Sequence, residues 1–169
     1  MTSSLFERFL PSRACNDYRG SKISLVVFGL VSLVMMGRSL IHLLKDDAGA
    51  NSIATMITFS GTPDPDHAVY MFASLWGLEQ AIMALVYFVV LYRYRNLIPL
   101  MYFTLVLEWA GRLLVGRFLH PLGDVYFTGT TPGKVGAIPL LILISVMFML
   151  SLRESHASES EPTLSPRSS

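Results

Sequence analysis

Six side chains capable of chemistry interrupt otherwise apolar sequence: Arg38, His42, Glu79, Gln80, Glu108 and Arg112. Arg38 and His42 are four residues apart, and so are Glu108 and Arg112, so on a helix each pair shares a face. In the second pair the glutamate comes first, the favourable order for an i,i+4 ion pair. The expected arrangement is a network in which Glu108 and Glu79 hold Arg112 and Arg38, with Gln80 and His42 as neutral members. Two arginines then balance two glutamates. Such a network could grip a polar headgroup, pass a proton through a carboxylate, or supply one carboxyl as an acid or base. It could also only lock helices in register. An ionisable group at the centre of a bilayer costs about 2.5–3.5 kcal/mol even on lenient insertion scales, so it marks a functional site by default. The cavity reading is therefore preferred to the lock.

These residues need elements to position them. Four apolar stretches do so: Ser21 to Leu44, Val69 to Tyr92, Leu97 to Phe118 and Val135 to Leu152. A spanning helix needs about 20 apolar residues, and a helix satisfies its own backbone where water is absent. None of the stretches has the polar face of a soluble bundle helix. The expected fold is all-α, an integral membrane bundle of four transmembrane helices. The first stretch follows Arg8, Arg13, Arg19 and Lys22 and precedes Ala48-Gly49-Ala50, an order shared with signal peptides. It is longer than a signal core of about 7–15 residues and contains Arg38, so it reads as a retained helix.

The chain has 169 residues, enough for one domain. Only 15% are charged, against roughly a quarter in soluble domains, which supports the membrane assignment. The net charge of +1, with no basic stripe, excludes nucleic acid as a partner. Cys15 is the sole cysteine, so an internal disulfide is excluded. Lys and Arg near the helix ends favour the side that carries Arg8, Arg13, Arg19, Lys22, Arg93, Arg95 and Arg153 over the side with Lys45, Arg117 and Lys134. Both termini are thus expected in the cytoplasm of a multi-pass protein of the plasma or bacterial inner membrane. The division is a cytoplasmic arm at 1–20, a membrane domain at 21–152 and a disordered cytoplasmic tail at 153–169. In the arm, Leu5 to Leu10 suits one turn of interfacial helix or an unstructured segment.

The loops from Lys45 to Ala68 and from Leu119 to Lys134 fall on one side and could cap the bundle together. Ile53, Met56, Ile57 and Phe59 suit a short segment lying on the membrane. Asp64, Asp66, His67, His120 and Asp124 are conceivable metal ligands, but their spacing matches no known loop. No metal or cofactor is expected. Ala73, Gly77 and Ala81 form a small-residue stripe nearly opposite Glu79 on the second span. Internal packing is its preferred use, and a homodimer or a membrane protein partner is the alternative.

The run Leu107-Glu108-Trp109-Ala110-Gly111-Arg112 after an arginine-bearing turn, with Gly37 to His42 closing the first span, resembles DoxX-like bacterial four-helix membrane proteins. Some DoxX-like members are accessory subunits of membrane redox systems, so the resemblance implies a four-helix bundle and an accessory role. Gly129-Thr130-Thr131-Pro132 leading to Pro139-Leu140 is similar, with altered spacing, to the ergosterol-biosynthesis scaffold family. The preferred reading is a non-enzymatic accessory or scaffold subunit whose polar intramembrane pocket takes a lipid or quinone-like ligand. The alternatives are a small transporter or proton relay using Glu79 and Glu108, and a membrane-embedded enzyme acting on an isoprenoid or sterol.

Overall fold

The computed structural model describes residues 4–154. Its helices are α1 (Leu5–Phe9), α2 (Lys22–Leu44), α3 (Asp66–Arg93), α4 (Ile98–Leu114) and α5 (Pro132–Ser151). The last four, with α4 extended through its flanking turns, are long and apolar enough to cross a membrane. Their outward faces carry Leu33, Val34, Leu75, Ile82, Leu85, Leu107, Ile142 and Val146, all exposed. A soluble bundle would not leave four such faces to water. The fold is an all-α four-helix bundle.

Local chemistry sets the helix ends. Ser21 caps α2 by accepting from the Ile23 N–H at 3.3 Å. Pro99 lies in the first turn of α4 and Pro132 opens α5, where a missing N–H costs no hydrogen bond. Past Leu114 the chain widens into a π-helical turn over Val115–Leu119, closed by the His120 N–H on the Val115 carbonyl at 2.8 Å.

Two helix pairs make the bundle. α2 packs mainly on α3, and α4 mainly on α5. Gly77 sets the first pairing: a Cβ there would lie 2.8 Å from both the His42 Cβ and the Leu43 amide nitrogen. The small-residue stripe thus meets a neighbour within the chain at Gly77. Between the pairs, nearer the termini, Phe28 stands edge-on to Tyr87 and Tyr102, with ring centres 5.6 and 5.3 Å away. The Tyr102 hydroxyl donates to the Ser24 carbonyl at 2.7 Å. Ser32 and Ser39, fully buried on α2, turn their hydroxyls back to the Phe28 and Met35 carbonyls.

The long loops join at the opposite end. The Thr128 N–H donates to the Thr55 carbonyl at 2.7 Å and the Ile57 N–H to the Tyr126 carbonyl at 3.1 Å, around a bridge between Met56 and Phe127. Within the segment at 53–59, Thr55, Met56 and Ile57 take part in this pairing. Positive φ at Ala48, Gly49 and Thr55 turns the chain too sharply for a helix there. At the termini end the arm is docked. Ser4 caps α1, and Phe9 sets its ring against Phe103 and Phe148 at 5.2 and 6.0 Å. Of the tail expected at 153–169, Arg153 and Glu154 are described, and Glu154 pairs with Arg8 at 2.7 Å. Residues 155–169 lie outside the described residues.

Candidate functional site

The intramembrane polar residues gather at the seam between the two helix pairs, between mid-bundle and the loop end. Each of three helices contributes two groups at i,i+4 spacing: Arg38 and His42 from α2, Trp76 and Gln80 from α3, Glu108 and Arg112 from α4. Trp109, next to Glu108, adds a second indole.

Glu108 is the hub. Its Oε1 accepts from Arg112 Nε at 3.1 Å and, in a shorter contact, from Arg112 Nη2. The same oxygen accepts from Gln80 Nε2 at 2.9 Å, which ties α3 to α4. That bond also fixes the orientation of the Gln80 amide, since a carboxylate can only accept from its nitrogen. Glu108 and Arg112 keep 27% and 23% of their side-chain surface exposed, so the pair borders the flank of the bundle.

The arginines share their surroundings. The Arg112 guanidinium lies 4.4 Å from the centre of the Trp76 ring and 5.3 Å from that of Trp109. The corresponding Arg38 distances are 4.7 and 5.5 Å. Each cation faces the negative π-surfaces of both indoles, an attraction that strengthens away from water. Arg38 forms no ion pair among the described residues. Two guanidiniums therefore stand beside one bonded carboxylate.

Two buried polar atoms at the seam are without a hydrogen-bond partner among the described residues: Gln80 Oε1, an acceptor, and Trp109 Nε1, a donor. The two residues are only 2% and 8% exposed. Native structures leave few such atoms orphaned, and each one calls for an explanation.

Glu79 does not join the network. It is exposed on the outward surface of α3 and forms no ion pair among the described residues. Successive residues on a helix point about 100° apart. Packing Gly77, Ala81 and Ala84 against neighbours turns Gln80 inward and Glu79 outward. His42 meets the cluster through Trp76. Its ring is buried on Trp76, 4.8 Å between centres, and Nδ1 donates to the Ala48 carbonyl at 2.7 Å. It anchors the loop after α2 and backs Trp76.

Four of the five conceivable metal ligands have local partners. Asp64 accepts from the Asp66 N–H at 2.9 Å, and Asp66 from the Phe59 N–H at 3.0 Å. His67 sits 3.6 Å from Asp64, and Asp124 sits 3.5 Å from Lys134. Among the described residues no three His, Cys, Asp or Glu side chains converge as metal ligands would.

Sequence reasoning missed the tryptophans as site residues. Trp76 lies one turn before Gln80 on the same face, and Trp109 lies beside Glu108. Their depth was the available signal, because an indole N–H away from the interface needs a partner.

Comparison of the chain with protein-family models, curated proteins and solved structures returns no match. The DoxX-like and scaffold resemblances rest on their short motifs alone.

Proposed function

We propose that this chain is a non-enzymatic membrane protein, an accessory or scaffold subunit, that holds a lipid or quinone-like molecule by its polar head at the seam between the two helix pairs. The observation that carries this reading is the surplus of cation. Arg38 and Arg112 face the same two indoles, and the one bonded carboxylate, Glu108, is engaged by Arg112 and not by Arg38. An acceptor-rich head, a carbonyl or an anionic oxygen, complements two guanidiniums and the free Trp109 N–H. The free Gln80 oxygen suits a hydroxyl on the same head. The apolar flanks of α3 and α4 suit the rest of an amphiphile. The likeness to DoxX-like proteins, some of them accessory redox subunits, agrees with such a role.

A proton relay through Glu79 and Glu108 fits less well. Glu79 is exposed on α3 and has no hydrogen bond or ion pair to Glu108 or its partners among the described residues. Every hydrogen bond that Glu108 makes uses it as an acceptor.

Native mass spectrometry of the protein carried from its own membrane into nanodiscs tests the reading. A defined adduct that disappears in Arg112→Leu supports it. A stable partner chain with no adduct would leave the scaffold role and remove the ligand. Trp76 and Trp109 are the chain's two tryptophans, so selectively excited tryptophan fluorescence reports on this site alone. Titration with a short-chain quinone should quench it in the parent and not in Arg38→Gln/Arg112→Gln.

A further inference from the structure

A second feature lies at the opposite end of the bundle and involves none of these residues. A cavity of about 220 Å³ opens where the N-terminal arm crosses the start of α4 and the end of α5. Arg8, Arg13, Arg19 and Arg153 line it, against the carboxylates of Glu7 and Asp17. Most of these charges are already engaged. Arg8 bonds Glu154 and the Leu152 carbonyl, at 2.7 and 3.0 Å. Arg19 bonds Asp17 at 3.0 Å, and Glu7 accepts from the Ser12 N–H and hydroxyl, both at 2.8 Å. Arg13 and Arg153 have no ion pair among the described residues.

The backbone holding these two guanidiniums is fixed. Asn96 donates to the Arg13 carbonyl at 2.7 Å and accepts from the Cys15 N–H at 2.9 Å, clamping the arm to the α3–α4 turn. The Arg153 N–H bonds the Leu150 carbonyl at 3.3 Å, and the Ser21 N–H bonds the same carbonyl at 3.2 Å. Beside the cavity, α1 holds Leu5 and Phe6 two-thirds exposed, at 67% and 69%. Such side chains suit the acyl-chain boundary of a bilayer, and the cavity beside them would then lie at headgroup depth.

We propose that this cavity binds a phosphoryl group, with Arg13 and Arg153 as its two cationic contacts. Forked guanidiniums match phosphate oxygens in pairs. Basic pockets at helix ends capture anionic lipid headgroups in this way. The phosphoryl group can belong to an anionic phospholipid or to a soluble phosphate.

The test uses the full chain in nanodiscs and its single thiol. Cys15 lines the cavity and is exposed, so its alkylation rate reports occupancy. Phosphatidylglycerol should be retained over phosphatidylcholine in native mass spectra and should slow Cys15 alkylation. Arg13→Gln/Arg153→Gln should cut both effects about tenfold, as loss of charge-assisted hydrogen bonds does. Slowing by millimolar inorganic phosphate in neutral detergent, lost in the same variant, would assign a soluble occupant to the same site. Equal retention of the two lipids, together with a Cys15 rate that neither lipid nor phosphate alters, would overturn the proposal. Measurements on the parent protein alone separate these outcomes should the double variant not fold.

Discussion

Gln80 Nε2 and Glu108 Oε1 meet at 2.9 Å across the seam between α3 and α4, on the oxygen that also receives Arg112. One carboxylate oxygen thus joins three side chains from two helices. Removing its charge leaves Arg112 without an anion at membrane depth. Glu108→Gln should lower stability by about 1–3 kcal/mol, read as a drop in Tm in detergent. Adding Arg112→Met should restore part of the loss, because replacing both partners leaves no stranded charge. A Glu108→Gln protein that melts like the parent would refute the pair.

Glu79 supplies the contrast. It is exposed and unpaired among the described residues, so Glu79→Gln should shift stability by no more than about 0.5 kcal/mol. A collapse in folded yield would mean that this carboxylate meets a partner.

Gly77 allows α2 and α3 to approach closely, and any side chain there meets the backbone of α2. Gly77→Ala should cost about 1–3 kcal/mol, as overpacking does. Gly37 lies on α2 with nothing within 4 Å of the corresponding position. Gly37→Ala should be neutral or stabilising by about 0.5–1 kcal/mol, through helix propensity. Paired thermal melts check both.

Asp47 makes the loop after α2 sensitive to acid. Burial alone would push its carboxyl up, but the Ser52 hydroxyl and N–H, the Gly49 N–H and Lys45 together bring it down to about 2. Its support is complete above the ordinary carboxylate range and is lost as pH falls toward about 2. Amide protection at Gly49 and Ser52, taken relative to the intrinsic exchange rate at each pH, should therefore fall over that interval. Asp47→Asn should show the lower protection already at neutral pH.

Much of the fold was legible because bilayer thickness acts on runs of sequence. Four apolar stretches became four spanning-length helices, with ends shifted by a few residues where Asp66 and Pro132 start helices early. The Glu108–Arg112 pair followed from spacing within one helix. Helix rotation was legible only in part: the small-residue stripe at Ala73, Gly77 and Ala81 lies nearly opposite Glu79, but which neighbour it meets is not written in the local sequence. Contact with α2 at Gly77 decides it. The loop pairing at Thr55 and Thr128 was equally hidden, since the two residues are far apart in sequence and carry no strand pattern. Trp76 and Trp109 as facing plates depend on α3 and α4 meeting at one depth, which only the assembled bundle defines.

The seam is tied at both ends, by the Thr55–Thr128 pairing on one side and by the clamp of Asn96 on the arm on the other. A molecule dissolved in the bilayer meets the flank where Glu108 and Arg112 emerge. Under the proposed function, occupancy of the tryptophan–arginine site would follow moles of ligand per mole of lipid. Withdrawing lipid at fixed ligand would fill the site, and adding buffer would not empty it.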